Sequence, residues 1–113
     1  MTTLLNIPIS VLENSLPRNS SATIDTTSLQ ITQKLVGQTR KSLVITNTST
    51  SSQIVTISEG QEAVFGNGII LYPQGTMVKS IDSGYIPSKS DYYAIADNAG
   101  ATISIFEEII NGL

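Results

Sequence analysis

The chain contains no cysteine, no histidine and no tryptophan among its 113 residues. Without cysteine it can form neither disulfides nor thiolate metal sites. Without histidine it lacks the commonest metal ligand and the commonest general base. Charge is scarce as well: 13% of residues are Asp, Glu, Lys or Arg, about half the usual share of a soluble domain. Nine acidic residues outnumber six basic ones, so no basic face is expected to neutralise phosphates and nucleic acid is not an expected partner. No run approaches the ~18 apolar residues that span a bilayer. The opening Met1-Thr2-Thr3-Leu4-Leu5 has no basic start, and Asn6, Pro8, Ser10 and Glu13 break the apolar stretch. The expectation is therefore no signal peptide and no membrane partner.

Serine and threonine make up about a quarter of the chain. Short hydroxyl side chains lose little rotamer entropy when covered, which suits packing against copies or a lattice. They also decorate strands, where threonine fits well, and the two readings stand side by side. The length is that of one domain with a core needing no staples.

Residues 1–21 read as an arm and residues 22–113 as the domain. In the arm, Pro8 and Pro17 interrupt Leu4, Leu5, Ile7, Ile9, Val11, Leu12 and Leu16, so no long helix can form. Ile7, Ile9 and Val11 alternate, which permits a short strand around Pro8 only at a sheet edge. Residues 18–22 read as a polar tether. From Thr23 the period is two: a first strand is expected over 23–35, then Lys41 to Thr46, with Gln53 to Ile57 as its hairpin partner. Ile69 to Tyr72, Met77 to Ile81, Asp91 to Ala96 and Thr102 to Phe106 follow, divided by Gly66-Asn67-Gly68, Pro73-Gln74-Gly75 and Asp97-Asn98-Ala99-Gly100. Only residues 107–113 could form a short helix. The spacing predicts an all-β, single antiparallel β-sandwich or barrel, jelly-roll-like, of about seven or eight short strands with an extended N-terminal arm. Its expected core is Leu43, Ile45, Ile54 or Val55, Ile69, Leu71, Ile95, Ile103 and Ile105.

Chemistry is hard to find. Gly66-Asn67-Gly68 has neither the third glycine nor the helix of a phosphate loop, and reads as a tight turn. Glu59 and Glu62 flank a turn, and Asp82, Asp91 and Asp97 fall at strand ends, where such residues shape turns. No stretch has the dense alternating acids of a calcium loop, so no metal, cofactor or catalytic residue is assigned. Arg40-Lys41 reads as a solvated strand end or an intersubunit ion pair. Tyr92 and Tyr93 are neighbours on a strand, so only one can face the core. Tyr92 joins Leu4, Leu5, Ile7, Ile9, Val11 and Leu12 as a candidate interface residue.

Several patterns occur in order: Arg40-Lys41-Ser42-Leu43-Val44-Ile45-Thr46-Asn47, Val55-x-Ile57, Ile69-x-Leu71-x-Pro73-x-Gly75, Tyr93-Ala94-Ile95-Ala96 and Ile103-x-Ile105. Together they resemble small virion structural proteins of bacterial and archaeal viruses, over residues 40–106. The resemblance implies a non-enzymatic capsid-decoration, vertex or tail-associated part that packs with other virion proteins. It places the chain in the virion; otherwise the chain is expected to be cytoplasmic. The apolar arm suggests a homo-oligomer, a trimer or pentamer. The rival reading is a stand-alone carbohydrate or cell-surface binding module.

Overall fold

The computed structural model describes residues 15–83 and 87–111. Eight strands run in chain order: β1 (Leu16–Ile24), β2 (Leu29–Thr32), β3 (Gln38–Asn47), β4 (Val55–Glu59), β5 (Ile69–Leu71), β6 (Thr76–Ser80), β7 (Tyr92–Ala96) and β8 (Ala101–Asn111). They form two four-stranded sheets, ordered β1-β8-β3-β6 and β2-β7-β4-β5, in which every pairing is antiparallel. All but one of the connections cross between the sheets, the exception being β4 to β5. This is the strand order of a jelly roll, a sandwich of two Greek keys.

Alternation builds the core. Leu43 and Ile45 on β3 meet Val55 and Ile57 on β4, Leu71 on β5, and Ile103 and Ile105 on β8. Two expected core residues lie elsewhere. Ile95 is on the outward face of β7, which sends Tyr92, Ala94 and Ala96 inward. Ile69 shares the inward parity of Leu71 but sits at the start of the short β5, where the sandwich ends, and is 39% exposed.

Tertiary pairing extends or redirects other elements. The stretch expected as one strand over 23–35 is two strands, in different sheets. Residues 16–21, read as the end of the arm, are the first part of β1 and pair with Ser104 to Ile109 of β8. The expected hairpin of β3 with β4 is absent, because residues 48–54 carry the chain from one sheet to the other. Residues 107–111, the candidate helix, continue β8 along β3 and β1. A ladder on both sides satisfies more main-chain groups than one isolated helical turn could.

The crossing after β3 is locked by Asn47, which is fully buried. Its Nδ2 donates to the carbonyls of Gln53 and Leu71, both at 2.9 Å, and its Oδ1 accepts from Ser49 N at 3.0 Å. At Pro73-Gln74-Gly75 the residue with positive φ is Gln74, at 69°. Gly75 is required for a different reason: a Cβ there would lie 2.9 Å from the Tyr72 carbonyl oxygen.

Candidate assembly surface

Two regions stand out, one rich in charge and one with almost none. The charged region is set by a bulge in β3. Between Arg40 and Ser42 the register against β8 slips by one residue, so Arg40, not Lys41, takes the inward position in line with Leu43. Its guanidinium is fully buried and all five of its N–H groups have acceptors. Nε donates to Glu107 Oε2 at 2.7 Å. One terminal nitrogen donates to the carbonyls of Ser88 (2.8 Å) and Ser90 (2.7 Å). The other donates to Thr32 Oγ1 (3.1 Å) and the Gln33 carbonyl (2.9 Å). Arg40 thus ties β2, β3, β8 and residues 88–90 together at one end of the sandwich. Neither expected role, a solvated strand end or an intersubunit ion pair, fits it.

Tyr92 belongs to the same network. Its ring lies 5.2 Å from the Arg40 guanidinium carbon and 5.9 Å from Lys79 Nζ. Its hydroxyl donates to Glu59 Oε1 at 3.0 Å, which also accepts from Lys79 at 3.0 Å. Burial, reinforced by the neighbouring Glu59 carboxylate, pushes the phenol above its ordinary range. For Glu59, partial burial alone works against the charge. Hydrogen bonds from Lys79, Ser88 and Tyr92, with the Lys79 charge, outweigh it and hold the carboxyl below the usual glutamate range. An open depression of about 560 Å³ lies beside this group, walled by Gln61, Asn67, Gly68 and Ile69. The Glu59 oxygen on its rim is already bonded to Lys79 and Tyr92 within the chain.

Tyr92 was expected at an interface, but it is fully buried inside the sandwich. The parity of β7 decides this, leaving Tyr93 outward with its hydroxyl donating to Asp91 at 3.0 Å. The other candidate interface residues, Leu4, Leu5, Ile7, Ile9, Val11 and Leu12, lie outside the described residues.

The second region follows from strand order and not from any local motif. Residues 63–78 are sixteen consecutive positions without a charge, and they supply the β5–β6 side of the sandwich. Among the exposed large apolar residues here are Val64 (58%), Phe65 (45%), Ile70 (44%), Tyr72 (64%) and Val78 (63%). Both outer strands are short: β5 pairs with only Val55, Thr56 and Ile57 of β4, and β6 with Ser42 to Thr46 of β3. Edge strands usually carry a lysine, a proline or a bulge that blocks further pairing. The opposite side carries a proline and an arginine, Pro17 and Arg18 on β1, and a bulge between Gln30 and Thr32 on β2. On the β5–β6 side β6 carries one lysine, Lys79, and its charge is held by Glu59 at 3.0 Å. The uncharged run is no signal by itself, because residues 42–58 are a longer uncharged run that holds most of the buried β3 and β4.

No protein-family model matches the sequence, and no curated protein sequence matches it. Among solved structures, the fold is similar to a chain from work on Bacillus endospore appendages, described as forming a novel family of disulfide-linked pili. The TM-score is 0.54 at 12% identity, covering 100% of this chain and 91% of that one. The likeness is one of fold.

Proposed function

We propose that this chain is a non-enzymatic structural subunit that works by associating with copies of itself. The observation that carries the reading is the charge-poor β5–β6 side, whose outer edges pair with no described strand and which holds large apolar side chains in water. Fully burying one such side chain is worth about 1.5–3 kcal/mol, and five of them lie exposed on or beside these two strands. Hydroxyl-rich faces and the absence of competing charge also favour close packing.

The sequence resemblance points to virion parts, and the structural neighbour is a pilus. Both are polymers, and their shared feature is repeated packing. Between them the fold likeness to the pilus chain supports a filament, located in the assembled appendage and not in a capsid. Two bare sides meeting would close a dimer, whereas a bare side meeting a different surface of the next copy makes a head-to-tail contact. Such contacts give an open chain unless the rotation happens to close a ring, as the expected trimer or pentamer requires. A disulfide-linked form is closed to this chain, which has no cysteine.

Light scattering on the full chain tests this. Mass is expected to grow continuously with concentration, and Ile70→Lys together with Tyr72→Lys is expected to abolish the growth without lowering the melting temperature. A monomer at micromolar concentration would refute self-association. A single closed species would keep association and exclude the filament.

A further inference from the structure

We infer that Asn67 is a site of spontaneous deamidation, and that its conversion to a carboxylate weakens self-association. The second half rests on the self-association reading, and the first stands on geometry alone. The sequence holds two Asn-Gly pairs, Asn67-Gly68 and Asn111-Gly112. Asparagine is among the thermolabile residues. A glycine after it leaves the next main-chain nitrogen unshielded, because no Cβ blocks the approach of the asparagine side chain. Local sequence therefore marks both pairs as labile. The fold separates them.

Asn111 is held twice. It is the last residue of β8, where it pairs with Gln38 of β3, and its Oδ1 accepts from Gln38 Nε2 at 2.8 Å. Asn67 is held by its main chain only. Its N–H donates to the Val64 carbonyl at 2.9 Å, closing the turn over residues 64–67. The residue is exposed, and its side-chain amide has no hydrogen bond among the described residues. Gly68 has a φ of 145°, and a Cβ there would run into the Ile57 carbonyl oxygen. The close approach of this turn to β4 thus demands the glycine that makes Asn67 labile.

The reaction needs only water. The Gly68 main-chain nitrogen attacks Asn67 Cγ, forming the N–C bond of a succinimide ring. The Cγ–Nδ2 bond breaks, and ammonia leaves with the proton given up by the Gly68 nitrogen. Water then opens the ring at either carbonyl, giving aspartate or isoaspartate. Nucleophile and carbonyl carbon belong to one short stretch of chain, so the attack is intramolecular. The unbonded Asn67 amide can rotate into line, whereas that of Asn111 must first give up Gln38. The product puts a charge inside the uncharged residues 63–78, two positions after Phe65 and three before Ile70. Residue 67 also lines the depression that Glu59 borders. A carboxylate covered there by a second copy must shed its hydration, and Glu59 repels it.

Peptide mapping by mass spectrometry, after timed incubation of the full chain at mildly alkaline pH, reads both asparagines in one sample. In the folded protein Asn67 is expected to convert several-fold faster than Asn111, and in urea the two rates are expected to draw level. Equal rates in the folded protein would overturn the site. The same preference kept in urea would assign it to sequence and overturn the structural argument. Asn67→Asp tests the effect on assembly. Light scattering is expected to place its growth in mass at several-fold higher concentration than wild type, with an unchanged melting temperature. Asn67→Gln keeps the amide, and its longer side chain closes the ring far more slowly; it is expected to associate like wild type. Equal association of Asn67→Asp and wild type would overturn the weakening, and equal losses in both variants would overturn charge as its cause. A wild type that stays monomeric would remove the self-association reading and the weakening with it, while the mapping still decides the site.

Discussion

The molecule places charge and grease where a typical soluble domain does not. Of fifteen charged side chains, Arg40 and Glu107 are drawn inside, and Glu59 and Lys79 neutralise one another beside them. Meanwhile sixteen consecutive uncharged residues line an open edge. The contrast separates two kinds of work. At the Arg40 end, polar groups are fully satisfied within the chain, so they specify the fold and leave little for a partner. At the β5–β6 side the outer edges pair with no described strand and large apolar side chains are exposed, so that side is where association can gain free energy. Clusters of ionisable residues often mark function. Here the quieter surface is the better candidate.

The largest expected effect comes from breaking the buried network. Arg40→Ala should cost about 3–5 kcal/mol, because it leaves Glu107 buried without its cation. Urea denaturation measures this, and a loss under 1 kcal/mol would mean that the network does not hold that end together. Ile45→Ala gives the scale for a cavity in the apolar core, with an expected cost of about 2–5 kcal/mol. An unchanged midpoint there would take β3 out of the core.

The rim of the network should respond to pH. A folded-state carboxyl held below its unfolded value stabilises the fold above that unfolded value, near 4.3. The stabilisation is lost as pH falls through the lower folded value. Wild type should therefore melt above Glu59→Gln at pH 7, and the gap should close on acidification below about pH 4. A gap that is constant across that range would assign the difference to packing and not to charge. The smallest effect on stability is expected on the bare side. Val78→Ser and Ile70→Ser should each change unfolding free energy by no more than about 0.5 kcal/mol, as surface substitutions usually do. Both should weaken association measured by light scattering. A large stability loss in the monomer would mean that the side is packed within the chain after all, and the contrast between the two regions would fail.

The sequence by itself determined the fold class and much of the core. Period-two alternation is local, so Leu43, Ile45, Leu71, Ile103 and Ile105 could be assigned from their neighbours alone, while Ile54 and Val55 stayed alternatives until the sheet chose Val55. The turn at residues 66–68 was legible for the same reason: Gly66 and Gly68 take φ of 88° and 145°. Parity failed at β7, where Tyr92 and Ile95 each carry an apolar body and only the opposing sheet decides which goes inside. Strand partners were not legible either. A hairpin of β3 and β4 and a crossing between sheets share one local pattern, and Asn47 reveals its role only when its three partners come together. The bulge that turns Arg40 inward depends on β8, sixty-seven positions away at Glu107. The open β5–β6 side emerges only once the other strands have found partners. Exposure and edge position belong to the assembled sandwich, since no stretch of chain can specify alone which of its hydrogen-bonding groups will be left unpaired.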